Sequence, residues 1–593
     1  MMRARRIFRI IAVLVALGML ATAATAQDYP PVPQKASPEK SLGRPGMPLS
    51  ASREAARFLV ENFPGGDIPE SPGLERQMTA STGEEERSKA PSLGGDDILV
   101  NQDFNNRPQN ETAIAIDPND PNHIVTGYND YRVGWPVGGG FSTTFDGGQT
   151  FHDGLVTFPA LIAPEDFPGF AEPPVATGDP AVAFANDGTV YQSSLGFSAS
   201  FCEGGVFVYR SDDGGIAWWR PVVATGTGIV DYWPYAFDCS VILDKEYMAV
   251  DNSGGPHDGR VYVTYTRFLF DAEFNYLESP IYLSYSDDGG ESFTVVGEIN
   301  GASKDLCEFQ VETTGGKGPG ATGRDKTRYD CDEDQFSVPV VGSDGTLYVQ
   351  FANEQNQSEW EPAGDFDNQV LMVRVNPDTF AVDGPYQITM LADGLTNYPI
   401  NPDIFRQTVC NGGWRLNAFG NLAIGPNGEL YSVWADDRNG DLFPFPTFIN
   451  PDGSCPDDLH TSTDVFVRTS TDGGQTWSRT VRISQDPENF DNWFPWVAVG
   501  DDGTAYTVYY DRRLSGNNTL TDAWVATSRD HGRTWQEFRV SDESSDFSNA
   551  FFGTPDFIGD YNGIDATDHT AYPFWTDSRV DGDSDVYMDV LNP

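Results

Sequence analysis

Five acidic residues stand at equivalent places in the sequence, each near the start of a short apolar run. The runs begin ETAIAI, DPAVAF, EYMAV, DQFSV and DYNGI, and in the last of them a tyrosine follows the acid directly. Carboxyl groups gathered in one place can act as general acid and base, can bind a cation, or can line a solvated funnel. These three alternatives apply to Glu111, Asp179, Glu246, Asp334 and Asp560, with Tyr561 beside the last.

A second pattern consists of an aromatic residue, an aspartate two positions later and an arginine two positions after that. It occurs four times, as YNDYR, WADDR, YYDRR and WTDSR. In one interpretation each aspartate neutralises its own arginine and orders a loop. In the other, at least one guanidinium group holds an anionic substrate. The four pairs are Asp130 with Arg132, Asp436 with Arg438, Asp511 with Arg513, and Asp577 with Arg579.

An octapeptide that occurs five times indicates the framework that positions these residues. Its copies are TFDGGQTF (144–151), SDDGGIAW (211–218), SDDGGESF (286–293), STDGGQTW (470–477) and SRDHGRTW (528–535). The aspartate can accept hydrogen bonds from turn amides, the glycines permit positive φ, and the last aromatic ring can pack on a neighbouring sheet. A protein needs one active site rather than five. We therefore predict a structural role for Asp146, Asp213, Asp288, Asp472 and Asp530.

The octapeptide is one part of a longer repeat unit. Each unit has two strands joined by an Asn-Gly or Asp-Gly turn, then a loop, a third strand, the octapeptide and an outer strand. Seven such units predict an all-β Asp-box propeller with seven blades, and six blades are the alternative. The seventh unit lacks an outer strand. Residues 96–102 (DDILVNQ) can supply it, so that strands from the two termini close the ring.

The repeat unit also assigns the loops to two faces of the propeller. The octapeptides and the Asn-Gly turns share one face, and the remaining loops, which hold all six cysteines, share the other. Six cysteines in an exported chain favour disulfides, for which fifteen sets of pairings exist. Pairing between nearest neighbours would pin the long loops of this second face. The predicted pairs are Cys202–Cys239, Cys307–Cys331 and Cys410–Cys455.

The N-terminal segment and the charge of the chain restrict its location and partners. Residues 1–26 have an arginine-rich start, an apolar run and an Ala-Thr-Ala end, which is typical of a secretory signal. Residues 27–95 are expected to form a flexible leader with one short helix, and 96–593 the propeller. The formal net charge of −51 excludes nucleic acid and anionic membranes as partners. We expect a periplasmic or secreted protein without a membrane span.

The octapeptide resembles the Asp-box, or BNR repeat, of the sialidase superfamily, and the resemblance extends over about 110–590. It implies a propeller with a carbohydrate site, in which arginines hold a carboxylate and a glutamate activates a tyrosine nucleophile. An aspartate serves as acid and base in that family. The resemblance assigns Tyr561 as nucleophile, Glu246 as its activator and Arg132 with Asp130 as pocket residues, so that Tyr561, Glu246 and Asp130 form the predicted catalytic set.

Two features of that family are absent here. The region of the Arg-Ile-Pro entry motif reads NNRPQNETAIA (105–115), and the loop after Arg132 contains no aspartate. The sequence therefore supports two functions. One is a glycoside hydrolase for extracellular glycans, and the other is a non-catalytic propeller that binds glycan, protein or calcium through its looped face. Neither requires a cofactor. The predicted substrate contacts are Arg132, Arg438, Arg513, Arg579, Glu111, Asp179 and Asp560.

Overall fold

The computed structural model describes residues 94–592 with several gaps. The residues left out inside this range are 104–106, 134–136, 157–174, 199–203, 220, 226–240, 271–275, 308–328, 356–366, 405, 488–489 and 580–582. The predicted signal segment, nearly all of the predicted leader and the predicted pair Cys202–Cys239 lie outside the described residues.

Seven antiparallel sheets follow one another along the chain, and each has four strands in order from the first to the outer strand. This confirms the predicted all-β propeller with seven blades. The strands are, in blade 1, Gln109–Asp117, Asp120–Asp130, Gly138–Thr144 and His152–Leu155; in blade 2, Ala176–Phe184, Val190–Phe197, Gly204–Ser211 and Val222–Val223; in blade 3, Val241–Val250, Val261–Phe270, Ile281–Ser286 and Thr294–Glu298; in blade 4, Asp334–Val341, Leu347–Asn353, Gln369–Val375 and Val382–Met390; in blade 5, Leu422–Ile424, Leu430–Asp436, Asp464–Ser470 and Val481–Arg482; in blade 6, Asn492–Val499, Ala505–Asp511, Asp522–Ser528 and Gln536–Arg539; and in blade 7, Gly563–Ala566, Ala571–Asp577, Asp585–Met588 and Ile98–Leu99.

Three short strands and one 3-10 turn do not belong to the four-stranded pattern of the blades. The strand Tyr276–Glu278 adds to blade 3, Ile400–Asn401 pairs with Arg406–Gln407 between blades 4 and 5, and Phe547–Asn549 forms a single 3-10 turn. No helix among the described residues is long and apolar enough to cross a membrane.

The outer strand of blade 7 comes from the start of the described chain. Ile98 pairs with Met588 and Leu99 pairs with Tyr587, in antiparallel register. Blade 1 then packs against blade 7, where the Thr112 hydroxyl donates to the carbonyl oxygen of Phe574 at 2.8 Å. The first strands of neighbouring blades contact one another around the centre of the propeller.

The aspartate of each Asp-box accepts a hydrogen bond from a backbone amide four residues later in its own turn, as blade 5 illustrates. Asp472 accepts hydrogen bonds from the Thr476 amide at 2.9 Å, the Thr476 hydroxyl at 2.6 Å and the Ser470 hydroxyl at 2.8 Å. Gly474 has a φ of 79°, and a Cβ atom there would lie 2.0 Å from the Met372 Cε of blade 4. Only glycine therefore allows the turn to pack this closely against the neighbouring blade.

Two of the predicted disulfides are present. Cys307 is bonded to Cys331 within the connection between blades 3 and 4, and Cys410 is bonded to Cys455. The loop closed by the second bond spans 45 residues of sequence. It holds the long insertion of blade 5 against the loop that precedes that blade.

Candidate functional site

The first strands of five blades carry the same irregularity near their start. In each, two residues of the first strand stand opposite one residue of the second, which is a β-bulge. The first residue of each bulge has a left-handed φ between 49° and 58°, a conformation that costs a non-glycine residue on the order of 1 kcal/mol or more. Bulges redirect side chains. The five residues, in blades 1, 2, 3, 4 and 6, are Glu111, Asp179, Lys245, Phe336 and Phe494.

The bulges of blades 1 and 2 bring two carboxyl groups together. Glu111 and Asp179 are fully buried and hydrogen-bonded to each other. Asn129 supports both, because its amide nitrogen donates to Glu111 at 2.7 Å and its amide oxygen accepts from the Asp179 backbone at 2.9 Å. Burial, and then the charge of Asp179, raise the pKa of Glu111 well above its usual value. Burial and the neighbouring carboxyl group thus both favour the protonated form of Glu111.

Lys245 brings a positive charge to this pair from the bulge of blade 3. Its Nζ lies 3.8 Å from Asp179 Oδ2 and 3.4 Å from the ring centroid of Tyr561, with the Phe336 ring 5.2 Å away. The side chain is almost completely buried. An ammonium group in this position is held by a carboxylate on one side and by the face of an aromatic ring on another.

Glu246 follows Lys245 and is the second residue of the same bulge. The equivalent residues of blades 1 and 4 are Thr112 and Ser337, whose hydroxyls donate to the preceding blade. Glu246 is 1% exposed, and neither of its carboxyl oxygens has a hydrogen-bond partner in another described residue. Burial, and then the charge of Asp179, raise its pKa well above the usual value. Blade 3 thus buries an acid where two other blades place a small hydroxyl side chain.

Blade 7 contributes Asp560 and Tyr561 to the same place. Asp560 accepts two hydrogen bonds from the Arg415 guanidinium, one of them from Nε at 2.9 Å, and both side chains are buried. The Tyr561 hydroxyl donates to the Pro180 carbonyl at 3.2 Å. Burial and then the charges of the surrounding acids raise the pKa of Tyr561 well above its usual value, so the phenol is neutral.

A second tyrosine and several aromatic rings complete the surroundings. Tyr131 is fully buried, and its hydroxyl has no hydrogen-bond partner. Burial, and then the charges of Glu111 and Asp179, raise its pKa well above the usual value. The ring of Trp496 lies 5.8 Å from that of Tyr561, centroid to centroid. We call the following residues the central cluster: Glu111, Tyr131, Asp179, Lys245, Glu246, Arg415, Asp560 and Tyr561.

The four arginines of the Asp-x-Arg pattern bind carboxylates of their own blades. Arg132 binds Asp130 and Asp153, each at 2.5 Å, and Asp153 belongs to the outer strand. Arg513 likewise binds Asp511 and Glu537, each at 2.5 Å.

The other two arginines repeat this arrangement in blades 7 and 5. Arg579 binds Asp577 and Asp97, each at 2.5 Å. Arg438 binds Asp436 at 2.5 Å, and its guanidinium lies 4.4 Å from the Phe466 ring centroid. In three blades the arginine thus links the end of the second strand to the outer strand or the residues beside it. These contacts agree with the loop-ordering interpretation, and the role of the arginines as anion contacts stays a prediction.

The structure brings together five of the predicted site residues and separates others. Glu111, Asp179, Glu246, Asp560 and Tyr561 all belong to the central cluster. Asp130 does not, because its carboxylate is held by Arg132, and burial raises its pKa to about 6 against the effect of that arginine.

Asp334 is also separate from the central cluster. Its carboxylate accepts from Asn353 at 2.8 Å, and the charges that act on it are those of the acids Asp332, Glu333 and Glu354. Among the described residues, no group of three or more His, Cys, Asp or Glu side chains is arranged to hold a metal ion.

Sequence reasoning missed three members of the central cluster. Lys245 stands directly before the predicted Glu246. The repeat units were aligned by their acidic residues, and an alignment by the first residue of each bulge would have found Lys245. Tyr131 lies between Asp130 and Arg132 in the repeated pattern. The sequence therefore gives the position of this residue but not the direction of its side chain. Arg415 lies 145 residues before its partner Asp560 and has no local signal.

The comparisons with known proteins concern the repeat and the fold. The family model of the BNR/Asp-box repeat matches residues 468–479. The sequence has no match among curated proteins.

Several solved propeller structures are similar to the chain. A protein of unknown function from Dyadobacter fermentans has a TM-score of 0.41 at 11% identity, over 84% of this chain and 98% of that chain. An ulvan lyase from a family of polysaccharide lyases, bound to its substrate unit, has a TM-score of 0.42 at 9% identity, over 85% and 94%. An α-L-arabinanase from Penicillium chrysogenum, in complex with arabinobiose, has a TM-score of 0.37 at 11% identity, over 70% and 92%.

The matched repeat lies in blade 5, and its turn has the hydrogen bonds that were described for Asp472. The same octapeptide recurs in blades 1, 2, 3 and 6 of a seven-bladed ring of four-stranded sheets. The chain is therefore a seven-bladed β-propeller with Asp-box repeats.

Proposed function

We propose that the protein is a glycoside hydrolase whose active centre is the central cluster. One observation carries the proposal: the cluster buries titratable acids in two different environments. Glu111 and Asp179 lie together beside the ammonium group of Lys245. Glu246 is buried and has no hydrogen-bond partner in another described residue. Acids whose environments differ in this way can divide the roles of proton donor and proton acceptor.

In the proposed reaction Glu246 is the general acid. Burial raises its pKa and so favours the protonated carboxyl group, which can donate a proton to the glycosidic oxygen as the bond breaks. The pair of Glu111 and Asp179 carries one negative charge and accepts the proton of an attacking water. Lys245 stabilises that charge, and the proton balance closes because the acid loses one proton and the pair gains one.

Tyr561 receives a positioning role in this proposal. A tyrosine nucleophile needs a phenolate or a base that takes its proton, whereas the phenol here is neutral and donates to the Pro180 carbonyl. Its ring also supports the Lys245 ammonium. The sequence-based assignment of Tyr561 as nucleophile, with Glu246 as activator, stays a prediction. Tyr561→Phe tests it directly, because loss of the hydroxyl removes a nucleophile completely but a positioning contact only in part.

We also propose that the protein works outside the cytoplasm. The two disulfides among the described residues suit an oxidising compartment. The predicted secretory signal at 1–26 would direct the chain there. N-terminal sequencing of the protein from culture medium and from periplasmic extract tests both points, and an uncleaved cytoplasmic chain would contradict the proposal.

The test of the proposed function is turnover of a panel of aryl glycosides and polysaccharides. We expect Glu111→Gln and Asp179→Asn to lose about 10²- to 10⁴-fold in kcat/KM, the range for loss of a general acid or base. Asp334→Asn is the matched control, because Asp334 is also a buried acid with a raised pKa but lies outside the central cluster. Equal rates for Glu111→Gln and Asp334→Asn would refute the assignment of the active centre.

A second function, that of a non-catalytic propeller, is favoured by the burial of the central cluster. Glu111, Asp179 and Tyr131 have no exposed surface. A propeller of this second kind would bind glycan, protein or calcium through its looped face without turnover. Binding of a glycan that is unaffected by Glu111→Gln, together with no turnover of any panel member by the wild-type protein, would establish it.

A further inference from the structure

We propose that the central cluster takes sugar units without a negative charge and rejects sialic acid and uronic acids. This inference rests on the proposed function, because it names the substrate class of the same site. It also departs from the sequence-based expectation of an anionic substrate held by arginines. Four features support it: the occupied arginines, the charge balance of the central cluster, its polar atoms and aromatic rings, and the charge of the whole chain.

The arginines that were expected to bind a carboxylate already bind one or two. Arg132, Arg513 and Arg579 each hold two carboxylates of their own blade at 2.5 Å. A guanidinium group that faces two carboxylates has its positive charge compensated and most of its donors in use. A substrate carboxylate would have to displace a protein carboxylate that is covalently tethered beside the arginine.

The same holds inside the central cluster. The Arg415 guanidinium is bound by both oxygens of Asp560. The Lys245 ammonium lies 3.8 Å from Asp179, which is hydrogen-bonded to Glu111.

The charge balance of the cluster therefore disfavours an anion. Two cationic side chains face the carboxyl groups of Glu111, Asp179, Glu246 and Asp560, and each cation already has a carboxylate beside it. A substrate carboxylate in this cluster would lie next to the acid pair and Glu246, where like charges repel in a medium of low dielectric constant. A neutral sugar meets no such repulsion.

Unused polar atoms and an aromatic surface fit a neutral sugar instead. The two carboxyl oxygens of Glu246 and the hydroxyl of Tyr131 have no hydrogen-bond partner in another residue of the described part of the chain. Sugar hydroxyl groups can donate hydrogen bonds to the Glu246 carboxyl oxygens and accept one from the Tyr131 hydroxyl. The rings of Trp496 and Tyr561 lie side by side at 5.8 Å and offer apolar surface for the C–H face of a sugar ring.

The charge of the whole chain acts in the same direction at longer range. The sequence has 88 acidic residues against 37 lysines and arginines. An anionic polysaccharide is repelled by such a protein at low ionic strength, and the encounter rate falls accordingly. Neutral glycans approach without this barrier, and their binding should depend little on salt.

The experiment compares glycans with and without carboxylate groups. A polyuronate and the same polymer after chemical reduction of its carboxyl groups to alcohols form one matched pair. A sialylated oligosaccharide and its desialylated form are the other. Turnover is measured with the wild-type protein and with Glu111→Gln, and binding is measured by calorimetry with Glu111→Gln, which retains the neutral donors and acceptors. We expect the neutral member of a pair to be cleaved or bound at least about tenfold better.

Each outcome decides a separate question. Preference for the anionic member, with turnover that Glu111→Gln abolishes, overturns the neutral-substrate inference and leaves the proposed hydrolase standing. Binding of the neutral member without turnover by the wild-type protein supports the inference and overturns the hydrolase. If no member of either pair is bound or cleaved, both are wrong.

Discussion

Replacement of Glu246 by glutamine should make the protein more stable and, at the same time, less active. The carboxyl group is 1% exposed, has no hydrogen-bond partner and lies near the charge of Asp179. An ionised carboxylate is costly in such surroundings, whereas the amide of glutamine has the same shape and no charge. A residue that lowers stability is retained by evolution where it has a function. A gain in stability together with a loss of activity would thus separate a functional acid from a structural one.

The size of the stability gain depends on pH in a defined way. In the unfolded chain Glu246 titrates near its usual pKa of about 4.5, and in the folded protein the pKa is raised. Below pH 4.5 the carboxyl group is protonated in both the folded and the unfolded protein, so its titration does not change the free energy of unfolding. Above it the unfolded state loses the proton first, and the free energy of unfolding falls by up to about 1.4 kcal/mol per pH unit until the folded-state pKa is reached. Between pH 5 and pH 7 the variant should therefore gain up to about 2.7 kcal/mol on the wild type.

Urea unfolding at pH 5, 6 and 7 measures this difference. The other buried acids are common to both proteins, so their contributions cancel in the comparison. Glu291→Gln is the control, because Glu291 is an exposed residue of an Asp-box turn and its replacement should leave the unfolding curves unchanged at every pH. A stability difference between Glu246→Gln and the wild type that is the same at pH 5 and pH 7 would refute the assignment of Glu246 as a buried acid with a raised pKa.

Three further predictions concern the framework around the site. Asp472→Ala removes the acceptor of three turn hydrogen bonds and should lower the free energy of unfolding by about 1–2 kcal/mol in urea titrations, without a change in glycan turnover; altered turnover would contradict a purely structural turn. Arg415→Met leaves the buried Asp560 carboxylate unpaired and should lower the free energy of unfolding by about 3–5 kcal/mol. Most of this loss should be restored when Asp560→Asn is added in a double variant. Equal stability of the single and double variants would show that the pair is not coupled. Joint replacement of Cys410 and Cys455 by serine opens a loop of 45 residues and should cost about 2–4 kcal/mol, and an unchanged melting temperature would show that the bond does not contribute.

The framework could be predicted from the sequence because its interactions are local. In the Asp-box of blade 5, Asp472 binds Ser470 and Thr476, which are two and four residues away. The Asp-Gly turns between first and second strands are equally short. Contacts of this range leave a recognisable pattern of letters, and the pattern indicates the blades, their number and the face on which the turns lie.

The members of the central cluster were partly predictable for the same reason. Glu111 and Asp179 stand at equivalent places of the repeat, so a comparison of units finds them. The comparison was one residue off in blade 3, where it selected Glu246 on the strength of its charge. The bulge places Lys245 at the position of Glu111 and Asp179, and the two residues of a bulge point in different directions. Sequence letters carry no sign of that direction.

The partners of the charged groups were beyond prediction. Arg579 binds Asp97 across 482 residues, and Arg415 binds Asp560 across 145. Such pairs form only when strands from distant parts of the chain share a blade or meet at the centre. The repeat determined which side chains stand near the centre, because local turns and strand periodicity build each blade. The tertiary structure decided which of their charges remain available to a ligand, because charge compensation depends on contacts between blades and between the two ends of the chain.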